Sequence, residues 1–211
     1  ATPLGTTGRG GADLGRIAVR PGAGIACDRG RIVAVASDRE LRERYAARST
    51  VDAAGGVVIP GLVDAHTHPV FDGTREGEFE QRMAGATYLE IAAAGGGIRS
   101  SLAGVRAASA EVLTAKLRQR LDRFLALGTT TLEAKTGYGL TVVDELKGLD
   151  VIAAADRAHP VDLVATCLGA HSVPPEHSAD PLRWERIVIE ELWPAAASRR
   201  GIASSPRGAR A

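Results

Sequence analysis

Aromatic side chains are scarce in this 211-residue chain, at 4% of residues. A core of usual density must therefore be built from Leu, Ile, Val and Ala. Cysteine is nearly missing: Cys27 and Cys167 are the two present. So few cysteines, far apart, support no disulfide framework and fit a reducing cytoplasm. Excess charge is also lacking. Lys and Arg number 26 against 25 Asp and Glu, a formal net charge of +1. No basic stripe with interleaved aromatics stands out, which argues against nucleic acid and anionic membrane as partners. No apolar run approaches the roughly 20 residues that span a bilayer. The opening "ATPLGTTGRGGADLG" lacks the apolar centre of a signal peptide and starts at Ala rather than Met, so a processed or partial product is expected.

What is present is enough for one sizeable domain plus a small module. Residues 1–56 read as a small β-rich module. Two alternating apolar runs lie near Ala18–Val19 and Ile32–Val35, separated by an Asp-Arg-Gly turn. A short helix is expected over Glu40–Ala46, and another strand in "STVDAAGGVVIPG".

From residue 57 to 197 the rhythm is strand, helix, strand. "VVIPGLVDAH" reads as a strand buried on both sides. A short helix from Thr87 is stopped by Gly95–Gly97. "SAEVLTAKLRQRLDRFLALG" is the clearest helix. Ser109 is its N-cap, and Leu113, Leu117, Leu121, Phe124 and Leu125 form its apolar stripe. A strand at Thr129–Leu132, the Gly-rich loop "KTGYG", a helix over Val143–Ala155 and a strand "DLVATCLGAH" follow. "LRWERIVIEELWPAAA" is an amphipathic close. Alternation of this kind predicts α/β architecture built on a parallel sheet.

Polar residues gather just after each strand: Asp64, His66 and His68, then Lys135 and Tyr138, then His171. In (β/α) barrels that end of the sheet carries the chemistry. Residues i and i+2 of a strand face the same way, so His66 and His68 project together. Two neutral imidazoles suit Zn²⁺ or iron, but a catalytic centre needs further ligands. Asp64 either orients a ligand or caps the chain locally.

"PGLVDAHTHPVF" resembles the first metal-binding strand of the amidohydrolase superfamily. "FEQRMAGATYLEIAAAGGGIRSS", "LEAKTGYGL" and "LGAHSVPPE" resemble the imidazolonepropionase family, in the right order, from about Arg31 to Pro194. The resemblance implies an incomplete TIM-type (β/α) barrel behind the β-rich module. It implies metal-dependent hydrolysis of the cyclic amide of 4-imidazolone-5-propanoate to N-formimidoyl-L-glutamate, in histidine degradation. It implies one divalent metal, Zn²⁺ or Fe²⁺/Fe³⁺, with His66 and His68 as ligands. Arg75, Tyr138 and His171 are then substrate-binding, and a homodimer is left open. Tyr88 faces either the pocket or the core.

The family's third metal histidine and its acid and base residues find no match here. Only three βα units are countable, and His177 sits in a turn-rich loop. A non-catalytic fragment, or a hydrolase for another cyclic amide, are the alternatives. Residues 198–211, "SRRGIASSPRGARA", lose all periodicity and read as a disordered tail left by truncation or a change of reading frame.

Overall fold

A computed structural model describes Gly11 and residues 18–199. The expectations placed on residues 1–10, 12–17 and 200–211, the patternless tail from 200 onward among them, lie outside the described residues; Ser198, where that tail was expected to begin, instead ends a helix. The chain forms two compact units, which divide between Gly61 and Leu62. It is a mixed α/β structure with two sheets. Among the described residues no helix is long and apolar enough to cross a membrane.

The first unit holds an antiparallel hairpin, β1 (Ala23–Asp28) and β2 (Arg31–Ser37). Its turn is two residues long. Arg29 and Gly30 take φ of 48° and 72°, and positive φ at both positions matches the right-handed twist of the strands. The expected first run at Ala18–Val19 holds only an isolated bridge at Ala18; the hairpin ladder starts at Ala23. Helix α1 (Asp38–Arg44) begins where Ser37 and Glu40 cap each other reciprocally. No strand forms over residues 49–61. There Asp52 Oδ1 accepts from Ala54 N at 2.8 Å and Gly56 N donates to Ala53 O at 2.7 Å, closing a turn. Val57, Val58 and Ile59 are exposed, which corrects the expected buried strand. Pro60 has no N–H for a ladder, and regular pairing starts only at Leu62.

The second unit is a parallel sheet of β3 (Leu62–Thr67), β4 (Thr129–Lys135) and β5 (Asp162–Thr166), in that order. Consecutive parallel strands must be joined by crossovers, and helices supply them. Four helices lie between β3 and β4: α2 (Glu76–Met83), α3 (Tyr88–Ala93), α4 (Ile98–Ala107) and α5 (Ala110–Ala126). Helix α6 (Val142–Ala158) joins β4 to β5. Leu132 and Ala134 of β4 and Leu163 of β5 face α5 and α6 in one buried cluster, with Leu113, Leu117, Leu121, Val151, Ile152 and Ala155. The opposite face of β4 carries Thr131, Glu133 and Lys135, all partly buried. β3 is an edge strand, and its Leu62 and Val63 are exposed; burial on both sides is not found.

The closing amphipathic segment is one helical run: α7 (Pro181–Ile187), a π turn (Val188–Leu192) and α8 (Trp193–Ser198). Pro194 explains the π turn. Its ring crowds the preceding turn and it donates no hydrogen bond, and Trp193 N instead reaches back to Val188 O. Trp184, Val188 and Leu192 bury a second cluster with Leu102 and Leu140.

Candidate functional site

Three strand ends build the site. At the end of β3, Thr67 Oγ1 donates to Glu133 O on β4 at 2.5 Å, tying the two ends together. His66 and His68 flank that tie. His66 is exposed, and its N–H donates to Asp64 Oδ1 at 3.1 Å, so Asp64 acts as a local cap. His68 is half-buried. Its Nδ1 lies 3.0 Å from Thr136 O. A carbonyl accepts only, so Nδ1 carries the proton and Nε2 keeps its lone pair. Burial first, then the proximity of His171, His66 and Lys135, lower the pKa of His68 below its ordinary value. A neutral imidazole with a fixed tautomer is the form that binds metals.

Tyr138 comes from the loop after β4 and His171 from the turn after β5. Thr136 N donates to Thr166 O at 2.9 Å, and Leu168 N donates to Thr136 Oγ1 at 2.9 Å. These bonds end the ladder, because β4 stops at Lys135 opposite Thr166. The expected strand up to His171 is therefore shorter, and His171 lies in a 3₁₀ turn, Gly169–His171. His68 stacks on His171 at 4.7 Å between ring centroids and on Tyr138 at 5.1 Å. His66 meets His68 edge-on at 5.7 Å.

His68 and Tyr138 open onto a cleft of about 750 Å³, which Arg75 also lines with Phe71, Ser101 and Arg120. Arg75 sits at the start of α2. Its Nε and Nη2 donate to Glu78 Oε2 at 2.9 and 2.6 Å. That pair raises the Arg75 pKa and lowers that of Glu78. Arg120 lies 3.5 Å over the Phe71 ring and donates to Pro69 O at 3.1 Å. The structure thus gathers His66, His68, Tyr138 and His171, and sets Arg75 on the wall of the same cleft.

Other candidates are engaged in contacts of their own, Lys135 beside the site. Tyr88 is exposed, beside Ala92 and Ile98. Lys135 Nζ pairs with Glu133 at 2.5 Å. His177 stacks on Trp184 at 5.8 Å. Cys167 is half-buried, and burial pushes its thiol pKa up.

Two imidazoles on one tetrahedral ion, with metal–nitrogen bonds of about 2 Å, have ring centroids roughly 5 Å apart. The His66–His68 spacing is close to that, so the pair fits as part of a ligand set. Among the described residues no group of three or more His, Cys, Asp or Glu is placed to hold a metal ion. Arg106 and Glu145, which grip the Tyr138 loop, were not foreseen. The only signal for Glu145 was an acidic residue in the first turn after "KTGYG".

No family model matches the chain. Curated proteins do. The imidazolonepropionase of Geobacillus kaustophilus is 49% identical over 180 residues, which cover 83% of this chain and 42% of the relative. That of Brevibacillus brevis is 45% identical over 194 residues, 90% of this chain and 46% of the relative. That of Ectopseudomonas mendocina is 49% identical over 176 residues, 83% of this chain and 43% of the relative. The chain spans under half the length of these curated relatives. Identity of this order over most of its length places the chain in the imidazolonepropionase family.

Proposed function

We propose that this chain carries part of the site of a metal-dependent hydrolase that opens the cyclic amide of 4-imidazolone-5-propanoate to N-formimidoyl-L-glutamate, in histidine degradation. One observation supports this most: His66, His68, Tyr138 and His171 meet at the same end of three parallel strands. That end is where (β/α) barrels place their chemistry. An incomplete barrel of amidohydrolase type over 57–197, behind a β-rich module of 1–56, is the proposed architecture. The polar second face of β4 supports it, since a face of Thr131, Glu133 and Lys135 suits the interior of a site. A cytoplasmic location and a homodimer belong to the same proposal.

His66 and His68 would hold a divalent ion, Zn²⁺ or Fe²⁺/Fe³⁺, as two of its ligands. When bound, such an ion polarises the ring carbonyl and activates water near neutral pH. Arg75 receives the substrate's propionate. Its Nε and Nη2 are engaged by Glu78, which leaves the Nη1 edge for the carboxylate and fixes the plane of the guanidinium. Tyr138 and His171, whose rings both pack on His68, would contact the substrate ring.

Zn²⁺ titration, followed by calorimetry, tests the ligand pair. His66→Ala and His68→Ala are each expected to weaken binding by about tenfold or more. Unchanged affinity in both variants would remove the pair as ligands. Arg75→Ala is expected to weaken binding of the propionate substrate; if it does not, a related hydrolase acting on another cyclic amide is the better reading.

Among the described residues no third donor joins the pair, which favours a second reading, in which this polypeptide alone is non-catalytic. Supplied with Zn²⁺ or Fe²⁺ and imidazolone propanoate, it is then expected to show little or no ring opening by absorbance. Metal-dependent turnover would refute that reading and make the chain itself the hydrolase.

A further inference from the structure

After Thr136 the loop from Gly137 to Thr141 runs past the end of the sheet, beyond the last ladder bond of Thr136 N to Thr166 O. Three of its N–H groups converge on one side chain. Gly137 N donates to Glu145 Oε2 at 2.9 Å, and Gly139 N and Leu140 N donate to Oε1 at 2.8 Å each. Glu145 is 0% exposed. A glutamate is almost never fully buried unless it is paired, and here backbone N–H groups are its partners. The loop's carbonyls are held from the other side. Arg106 on α4 donates to Gly139 O at 2.7 Å and to Leu140 O at 3.2 Å, and its Nη2 also reaches Glu176 at 2.8 Å.

A loop at a strand end can satisfy its backbone with water. Two opposed side chains do something water does not: they select one conformation. That selection is needed here, because Gly137 and Gly139 are the most permissive residues a loop can contain. Leu140 is also held at φ 50°, which an L side chain seldom adopts. Between the two glycines stands Tyr138, with its ring on His68. Glu145 reaches the second strand end too. Its Cγ lies 3.7 Å from where a Cβ on Gly169 would be, in the turn that carries His171.

We infer that Glu145 and Arg106 are positioning residues, a two-sided clamp on residues 137–140 that sets the Tyr138 ring against His68. The inference rests on the proposed site only for the purpose of Tyr138. Its test reads geometry rather than turnover, so clamp and site can fail separately.

The test is NMR on the intact chain, comparing Glu145→Gln, Arg106→Lys and, as a control, Ile152→Val. Glutamine keeps the size but turns an NH₂ donor toward N–H donors. Lysine keeps the charge but cannot fork across two carbonyls. Ile152→Val weakens the same helix through its core face and leaves the loop untouched. The ring-to-ring contact between Tyr138 and His68 is expected to be lost in both clamp variants and kept in the control, with methyl shifts around Leu117 unchanged throughout. Retention of the ring contact in a folded clamp variant, or its loss in the control as well, would overturn the inference. Should Glu145→Gln fail to fold, Arg106→Lys decides alone, since its side chain is partly exposed and its replacement removes no core volume.

Discussion

Replacing Gly137 by alanine is expected to destabilise the protein by about 2–5 kcal/mol and to break the cluster of rings. Two costs combine. Gly137 has φ 109°, where an L side chain is strained. The new Cβ would also lie 2.9 Å from His171 Cβ and 3.0 Å from Leu168 O. Neither neighbour is the free end of a flexible side chain. A Cβ moves only with its backbone, and Leu168 O is held by His171 N at 2.9 Å. Relief must therefore shift the whole turn at 168–171 away from the Tyr138 loop. Gly73→Ala provides the comparison. It has φ 78° and nothing within 4 Å of a built Cβ, so only the backbone cost of about 1–2 kcal/mol applies. Urea denaturation of both variants measures the difference. Equal costs would mean that the close approach of the two strand-end loops has no energetic weight.

The parts of this structure that could be read from sequence are those set by neighbours along the chain. Helix α5 announced itself through Ser109, which accepts from Val112 N at 3.3 Å, and through the spacing of its leucines. A strand sends i and i+2 to one side, and the His66 and His68 rings do lie 5.7 Å apart, although β3 itself ends at Thr67. Helix α4 was hidden by its own start. Gly95–Gly97 read as a stop, yet Gly97 at φ 71° is also the N-cap of α4. The spacing of Ile98, Leu102 and Val105 was helical, but no Ser, Thr, Asp or Asn precedes it. Helix α2 was equally silent: Arg75 caps it without a side-chain bond, and it buries no residue. Arg75 thus carries no local sign that a helix begins at the next residue. Glu145 illustrates the deeper limit. An acidic residue in a first turn complements the helix dipole and reads as surface. Only the return of the Gly-rich loop over that turn, a fact of three dimensions, makes it the buried acceptor of three backbone N–H groups. Arg106, 33 residues before Gly139, is beyond any local pattern.

Leu117→Ala is expected to cost about 2–5 kcal/mol, while Leu125→Ala, on the same row of the same helix, costs less than about 1 kcal/mol. Sequence spacing alone ranks the two together, since Leu113, Leu117, Leu121 and Leu125 recur every fourth position. Helical geometry separates them. A step of four residues overshoots one turn by roughly 40°, so three such steps carry Leu125 about 120° away from Leu113. Phe124, eleven residues after Leu113, comes back to within about 20° of it. The structure follows that arithmetic. Leu113, Leu117 and Leu121 are 0% exposed, Leu125 is 39% exposed, and Phe124 packs against the core in its place. Leu117 lies at the middle of the stripe, in the cluster that includes Leu132 of β4 and Ile152 of α6. Truncating it opens a cavity between the sheet and both of its helices, where rigid neighbours on every side limit collapse. With total stabilities of small domains near 5–15 kcal/mol, such a loss would show as a large fall in the urea midpoint at unchanged slope. If Leu125→Ala proved as costly as Leu117→Ala, the stripe would be wider than the drift of the helix allows, and the packing of α5 on this sheet would need to be redrawn.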